Sequence, residues 1–400
     1  MRISILAVKL NAIAASLCLC VSVSGAEREP LELTVRGEIE DSLRKGITPV
    51  TLKGFTGESL SVLRFDLEAL GCEIVAEDRA AYVISGQNSD TLEGRVFDRR
   101  NKDQQILAKR YKGGSARVQA HTFSDAIVDK IIGPGMGIAR TKIVFKVDTG
   151  RAKELYITDY DGHNPVRVTS DNTIVAAPTW VPGKLALYYT SYMRQNPDIF
   201  FHDLSTGRRQ AIARYSGLNT SPAVAPGGNK VAMILSKGGS PDVYVSDSDG
   251  KNLKRLTTTR GDESSPCWSP DGQRICFVSR ESGRPRLYTM PAYGGKMSQL
   301  RTAGVSTVTE PDWAPDGKTI AFTSQYRGGF NICTIPAKGG TATVVAGGED
   351  PSWASNSRTM IITRRIGGKR VLSLLDAKTK RVKDIRKNFA GSCSQASWAK

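Results

Sequence analysis

Residues 265–280 read SPCWSPDGQRICFVSR, and copies of this pattern recur through most of the chain. Its parts are a proline, any residue, a tryptophan, a Pro-Asp-Gly-type turn and an alternating apolar strand. The anchor prolines or their equivalents stand at 178, 222, 266, 311, 351 and 396, so successive copies lie 44, 44, 45, 40 and 45 residues apart. A period in the forties with strand content is the signature of propeller blades, small sheets that cannot bury their faces alone. The second unit shows strands at 176–181, 184–190, 198–204 and 208–213. Three strands, 142–147, 154–159 and 165–169, precede the first anchor and lack an inner partner, while 395–400 is an inner strand with nothing after it. Closing the ring with that strand gives six blades and removes both loose edges.

The region before the repeats reads differently. Residues 1–26 have a basic start at Arg2 and Lys9, an apolar run and a small-residue site at Ser24-Gly25-Ala26, the layout of an export signal. The run is too short to span a membrane. Residues 27–137 interleave strands and helices. A strand at 48–55 precedes a helix at 58–70 with apolar Leu60, Leu63, Leu67 and Leu70; a strand at 81–86 and a hairpin at 92–98 and 105–111 follow. Ser115 opens a second helix that stops at Gly133-Pro134. The expected architecture is an α/β N-terminal domain (27–137) followed by an all-β six-bladed propeller (138–400).

The net charge of +17 is uneven: residues 27–137 hold 16 Lys+Arg against 18 Asp+Glu, and residues 138–400 hold 38 against 21. Within the propeller, residues 358–387 carry 11 basic and 2 acidic side chains. Such a surface draws anionic partners, or serves as a solvated face. Beyond the signal the cysteines are Cys72, Cys267, Cys276, Cys333 and Cys393, an odd and scattered set that is no disulfide framework. Cys267 and Cys276 flank one hairpin turn and pair only if the loop has no bulge.

Few residues carry chemistry. There is no G-x-S-x-G elbow, no hydrolase domain after the repeats, and only three histidines, His121, His163 and His202, without ligand spacing. Trp180, Trp268, Trp313, Trp353 and Trp398 take one fixed place per blade, which suits packing between blades; Val224 stands at that place in one copy. The loops that run into each inner strand surround one mouth of the channel. They carry Asp171, Asn172, Leu218, Asn219, Thr220, Asp262, Glu263, Ser264, Ser265, Thr309, Glu310, Glu349 and Asp350. This acidic, hydroxyl-rich ring is the candidate docking site. A narrow acidic channel also has the donors for a hard cation such as Ca²⁺; no other cofactor is expected.

Four stretches resemble the TolB family, the periplasmic propellers of the Tol-Pal system: Lys153 onward (KELYITDYDG), His121 onward (HTFSD), Ser221-Pro222-Ala223 with KVAMILS after it, and the SPDG hairpins with the C-terminal Trp strand. The resemblance implies a non-enzymatic scaffold in the periplasm. Its propeller mouth would bind Pal, the peptidoglycan-associated lipoprotein, and its N-terminal region would meet TolA of the inner membrane. It implies a part in envelope integrity and cell division, exploited by bacteriocins. The Pal-facing residues it implies are chiefly Leu218, Asn219, Thr220, Glu263 and Ser264, and the family's mobile extreme N-terminus corresponds to residues 27–34. Two further readings stand beside it: a propeller that binds envelope glycan through the basic sector 358–387, and a propeller hydrolase or lyase, against which the poor histidine content argues.

Overall fold

A computed structural model describes residues 29–326, 328–385, 389 and 391–399. The expected export signal, residues 1–26, lies outside the described residues.

The N-terminal domain is one five-stranded sheet with helices on its faces. In chain order the elements are α1 (Glu29–Arg44), β1 (Thr48–Lys53), α2 (Gly57–Ala69), β2 (Cys72–Ile74), β3 (Tyr82–Asn88), β4 (Thr91–Asp98), β5 (Gln104–Lys112) and α3 (Ala116–Ile131). The sheet order is β2-β1-β3-β4-β5; β1 is parallel to both its neighbours and β3-β4-β5 run antiparallel. α2 buries Val62, Leu63 and Leu67, and α3 buries Phe123, Ile127 and Val128, in one continuous core. The Ser115 hydroxyl accepts from the Val118 N–H and caps α3 as expected. Gly94 in β4 is required by packing, because a Cβ there would sit 2.2 Å from the Phe123 ring. Sequence reading missed α1. The stretch 27–34 is only partly described, and from Glu29 onward its backbone is helical.

Among the described residues the remainder forms six four-stranded sheets in a ring, with a short parallel pair between Thr302–Ala303 and Gly340–Thr341 beside them. The inner strands of blades 2 to 6 are Val175–Trp180, Asn219–Val224, Glu263–Trp268, Val308–Trp313 and Glu349–Trp353. Blade 1 takes its inner strand from Ser392–Trp398, which pairs antiparallel with Lys142–Asp148, and Val144 faces Ser397. The expected ring closure is therefore present. The tryptophans sit between blades: the Trp180 indole donates to the Ser397 carbonyl of blade 1, and Trp268 donates to the Ala223 carbonyl of blade 3. Cys267 and Cys276 are direct cross-strand partners, so no one-position offset separates them.

Antiparallel pairing assigns every turn to an end of the ring. Loops into inner strands and the hairpins between second and third strands lie at one end, here the loop mouth. The Pro-Asp-Gly turns and the turns after third strands lie at the other, the turn mouth. The N-terminal domain docks on the turn mouth, on blades 1 and 6. Tyr160, in the third-strand turn of blade 1, donates to the buried Asp66 carboxylate at 2.5 Å, and His121 Nδ1 lies 2.8 Å from the other oxygen. Arg117 pairs with Asp161 of the same turn. From blade 6, Arg358 donates to the Gly46 carbonyl at 2.8 Å, Arg381 pairs with Glu73 at 3.2 Å and Lys383 with Glu68 at 2.5 Å. Arg381 and Lys383 of the basic sector thus meet acidic side chains of the N-terminal domain. Residues 386 and 387 of that sector lie outside the described residues.

Candidate functional site: the channel and its loop mouth

Each inner strand carries one residue in the left-handed region, at the position before the anchor: Ala177 (φ 49), Ser221 (φ 51), Ser265 (φ 50), Glu310 (φ 53), Asp350 (φ 55) and Gln395 (φ 51). Strand register shifts at every one of these positions. A bulge of this kind bends the strand and re-aims a side chain. Here all six residues line the central channel. Left-handed backbone costs a non-glycine residue about 1–2 kcal/mol, so the bulges need compensation.

On one side of the ring a hydrogen-bond relay supplies it. The Glu310 carboxylate accepts from the Asp350 N–H at 3.0 Å and from Thr323 at 2.8 Å. The Asp350 carboxylate accepts from the Gln395 N–H at 2.9 Å and from Thr363 at 3.1 Å. The Gln395 side-chain oxygen accepts from the Ala177 N–H at 3.2 Å and from Lys146 at 3.0 Å. Each bulge side chain thereby holds the bulge backbone of the next blade, from blade 5 through 6 and 1 to 2. Burial and the neighbouring Asp350 charge push the Glu310 carboxyl up to about 8. From this ring a cavity of about 560 Å³ widens toward the turn mouth between Trp180, Trp268 and Trp313 and the turn prolines.

Of the residues expected at the docking site, Ser265, Glu310 and Asp350 line the channel and the others belong to the loop mouth. Asp262 and Ser264 are exposed there; Leu218, Thr220 and Thr309 are half-buried. Two expectations need correction. Asn219 is fully buried and spends its amide on the Pro197, Tyr215 and Gly217 carbonyls while accepting from the Tyr215 N–H. Glu263 is 1% exposed and accepts from Thr257, Thr259 and Ser279 at 3.1, 2.7 and 2.7 Å. Both brace loops rather than face a partner. Asp171 is held by both terminal guanidinium nitrogens of Arg209, and Glu349 by Arg370 at 2.7 Å. Asn172 is an exposed turn residue with φ 53. Sequence reading missed Ala177, Ser221, Gln395 and Lys146; the signal available was their place just before an anchor, or opposite one.

Among the described residues no group of three His, Cys, Asp or Glu side chains is arranged to hold a metal ion, so the Ca²⁺ expectation finds no ligand set there. No described helix is long and apolar enough to cross a membrane.

Comparison with known proteins bears on the same architecture. The structure of TolB from Acinetobacter baumannii superposes with a TM-score of 0.80 at 23% identity, covering 88% of this chain and 96% of that one, which shows a common fold. The Tol-Pal system protein TolB of Francisella tularensis subsp. tularensis is 32% identical over 167 residues, 39% of this chain and 38% of that protein. That of Nitrosococcus oceani is 34% identical over 128 residues, 30% of this chain and 29% of the relative. The chain thus matches well under half the length of these curated relatives. The family model of the TolB beta propeller domain, however, matches residues 129–400, all six blades, and on that span the chain belongs to the TolB beta-propeller family.

Proposed function

We propose that this chain is a periplasmic scaffold of a Tol-Pal system, without catalysis of its own, that holds a Pal-like lipoprotein on the loop mouth of its propeller. The observation that carries this is the asymmetry of the ring. The N-terminal domain occupies the turn mouth through Asp66, Arg117 and Glu68, whereas the loop mouth stays open and presents Asp262 and Ser264 to solvent. Rigid loops on a closed ring make a preformed docking face, because Asn219 and Glu263 brace them from within. The relatives of similar sequence carry the Tol-Pal name. The N-terminal region is the part that would meet a TolA-like inner-membrane protein, and the assembly would serve envelope integrity and division. The glycan reading loses three of its cations, since Arg358, Arg381 and Lys383 of the basic sector contact the N-terminal domain, while Arg365 and Lys369 stay exposed.

Replacing Asp262→Arg together with Ser264→Trp tests the docking face. Capture of the co-expressed lipoprotein is expected to fall at least about tenfold, with the melting temperature of the purified protein unchanged. Undiminished capture by this variant would remove the loop mouth from the interface.

A further inference from the structure

The loop mouth has a second region, away from Asp262 and Ser264. In blades 5 and 6 the second and third strands stay paired to the hairpin tip, at Tyr326 with Gly329 and Ile366 with Lys369; in blade 2 the register shifts between Ser191 and Arg194 before Arg194 pairs with Asn196. In blades 3 and 4 the corresponding pairing ends earlier, at Leu235 with Asp242 and Ser279 with Arg286. Each of these hairpins holds a large apolar side chain partly in solvent: Met193, whose sulfur accepts from Arg209, is 45% exposed, Phe330 47% and Ile366 43%. Lone exposed apolar residues need no explanation, but these three, along the arc of blades 5, 6, 1 and 2, all stand within two residues of a second-to-third-strand turn at the loop mouth, Met193 and Ile366 on second strands and Phe330 on a third strand.

The same arc is basic. Arg365 and Lys369 flank the Ile366 tip, and Arg151 stands exposed in the blade 1 hairpin; none has an acidic partner among the described residues. Arg194 beside Met193 is exposed, and its guanidinium lies over the face of Phe200 with no acidic partner among the described residues. The acids of the arc are already engaged: Asp148 by Lys153, Asp384 by Arg364 and Glu349 by Arg370. Hairpins that offer apolar side chains with unpaired cations beside them match the two layers of an anionic bilayer surface, phosphate outside and acyl chain beneath. A soluble anionic polymer would use the cations and leave the tips without a role.

We infer that the hairpin arc of blades 5, 6, 1 and 2 seats on an anionic phospholipid bilayer. Met193, Phe330 and Ile366 enter the headgroup boundary, and Arg151, Arg194, Arg365 and Lys369 pair with lipid phosphates. This goes beyond lipoprotein docking and does not depend on it: it uses other residues of the same mouth and needs no protein partner.

Co-sedimentation of the purified chain with vesicles checks it. The protein is expected to partition onto vesicles of phosphatidylglycerol mixed with phosphatidylcholine and to stay in solution with pure phosphatidylcholine. Arg365→Glu with Lys369→Glu should lower the partition coefficient at least about twentyfold, since each surface cation near such a membrane is worth roughly a fivefold factor. Phe330→Ser with Ile366→Ser should lower it at least about fivefold at unchanged charge. Both variants alter exposed tips, and thermal melting verifies that they fold. Absence of partition onto the anionic vesicles overturns the inference, as does partition that ignores the charge reversal. If the Phe330 and Ile366 variant binds vesicles as well as the parent and polyglutamate displaces both, the arc reads acidic polymers and the bilayer assignment fails.

Discussion

Glu310 shows how much one side chain does in this ring. It occupies a left-handed bulge, accepts the backbone of the next blade and faces the channel. Its carboxyl is raised from 4.5 to about 8, chiefly by burial and then by Asp350. Between those two values the folded protein keeps a proton that the unfolded chain releases, so stability falls as pH rises through that window. Glu310→Gln is therefore expected to flatten the decline in melting temperature between about pH 5 and 9, and to melt above the parent at the alkaline end. A variant that declines as steeply as the parent would show that Glu310 is not the titrating group. The bulge ring was hard to read from the sequence because Ala, Ser, Glu, Asp and Gln share no chemistry; what they share is a backbone angle. Asn219 and Glu263 misled for a related reason. A polar residue in a loop looks like surface, yet these two satisfy buried backbone and hydroxyl groups, which have to be paired somewhere.

At the scale of the element, the strand Ser392–Trp398 has most to do. It gives blade 1 its inner edge, supplies the carbonyl that receives the Trp180 indole, and buries Trp398 against Tyr160 and Thr141. Deleting residues 392–400 is expected to abolish the cooperative melting of the whole propeller rather than loosen one blade, because both cut edges are exposed at once. A truncated chain that melts like the parent would contradict the ring assignment. The blades were legible because a strand with one turn chemistry repeats at nearly constant spacing, and closure was legible as a missing strand at one end matched by a surplus strand at the other. α1 was not. Its sequence, EPLELTVRGEIEDSLR, holds Gly37 and several polar residues and has no sustained apolar stripe.

For the whole molecule, the seam between the domains decides how the two mouths differ. His121 sits there between Asp66 and Asp161. Burial disfavours its charged ring, but the hydrogen bond to Asp66 and the two carboxylate charges outweigh that and raise its pKa above 6.5. Stabilisation from such a raised histidine is complete below 6.5 and is lost as pH rises through the folded value. Proteolysis in the exposed linker near Pro134 and Gly135 should thus quicken from about pH 6 to 9, and His121→Asn should remove that dependence. Equal cleavage of the parent at both pH values would place the seam under other control. Sequence could not show this seam, because Asp66, His121 and Tyr160 come from three separate elements and only the fold brings them together. The ring itself has a kinetic side. Lys146 and Gln395, partners across the closing pair, are 249 residues apart in the chain. Five blades emerge before the first is complete, so contacts of this range are late and slow to form. Until that pair forms the half-made ring shows two open sheet edges, and any chain stopped short of residue 392 keeps them. An interrupted product would then present itself to proteases and chaperones as unfinished, which makes completion of the ring a check on completion of synthesis.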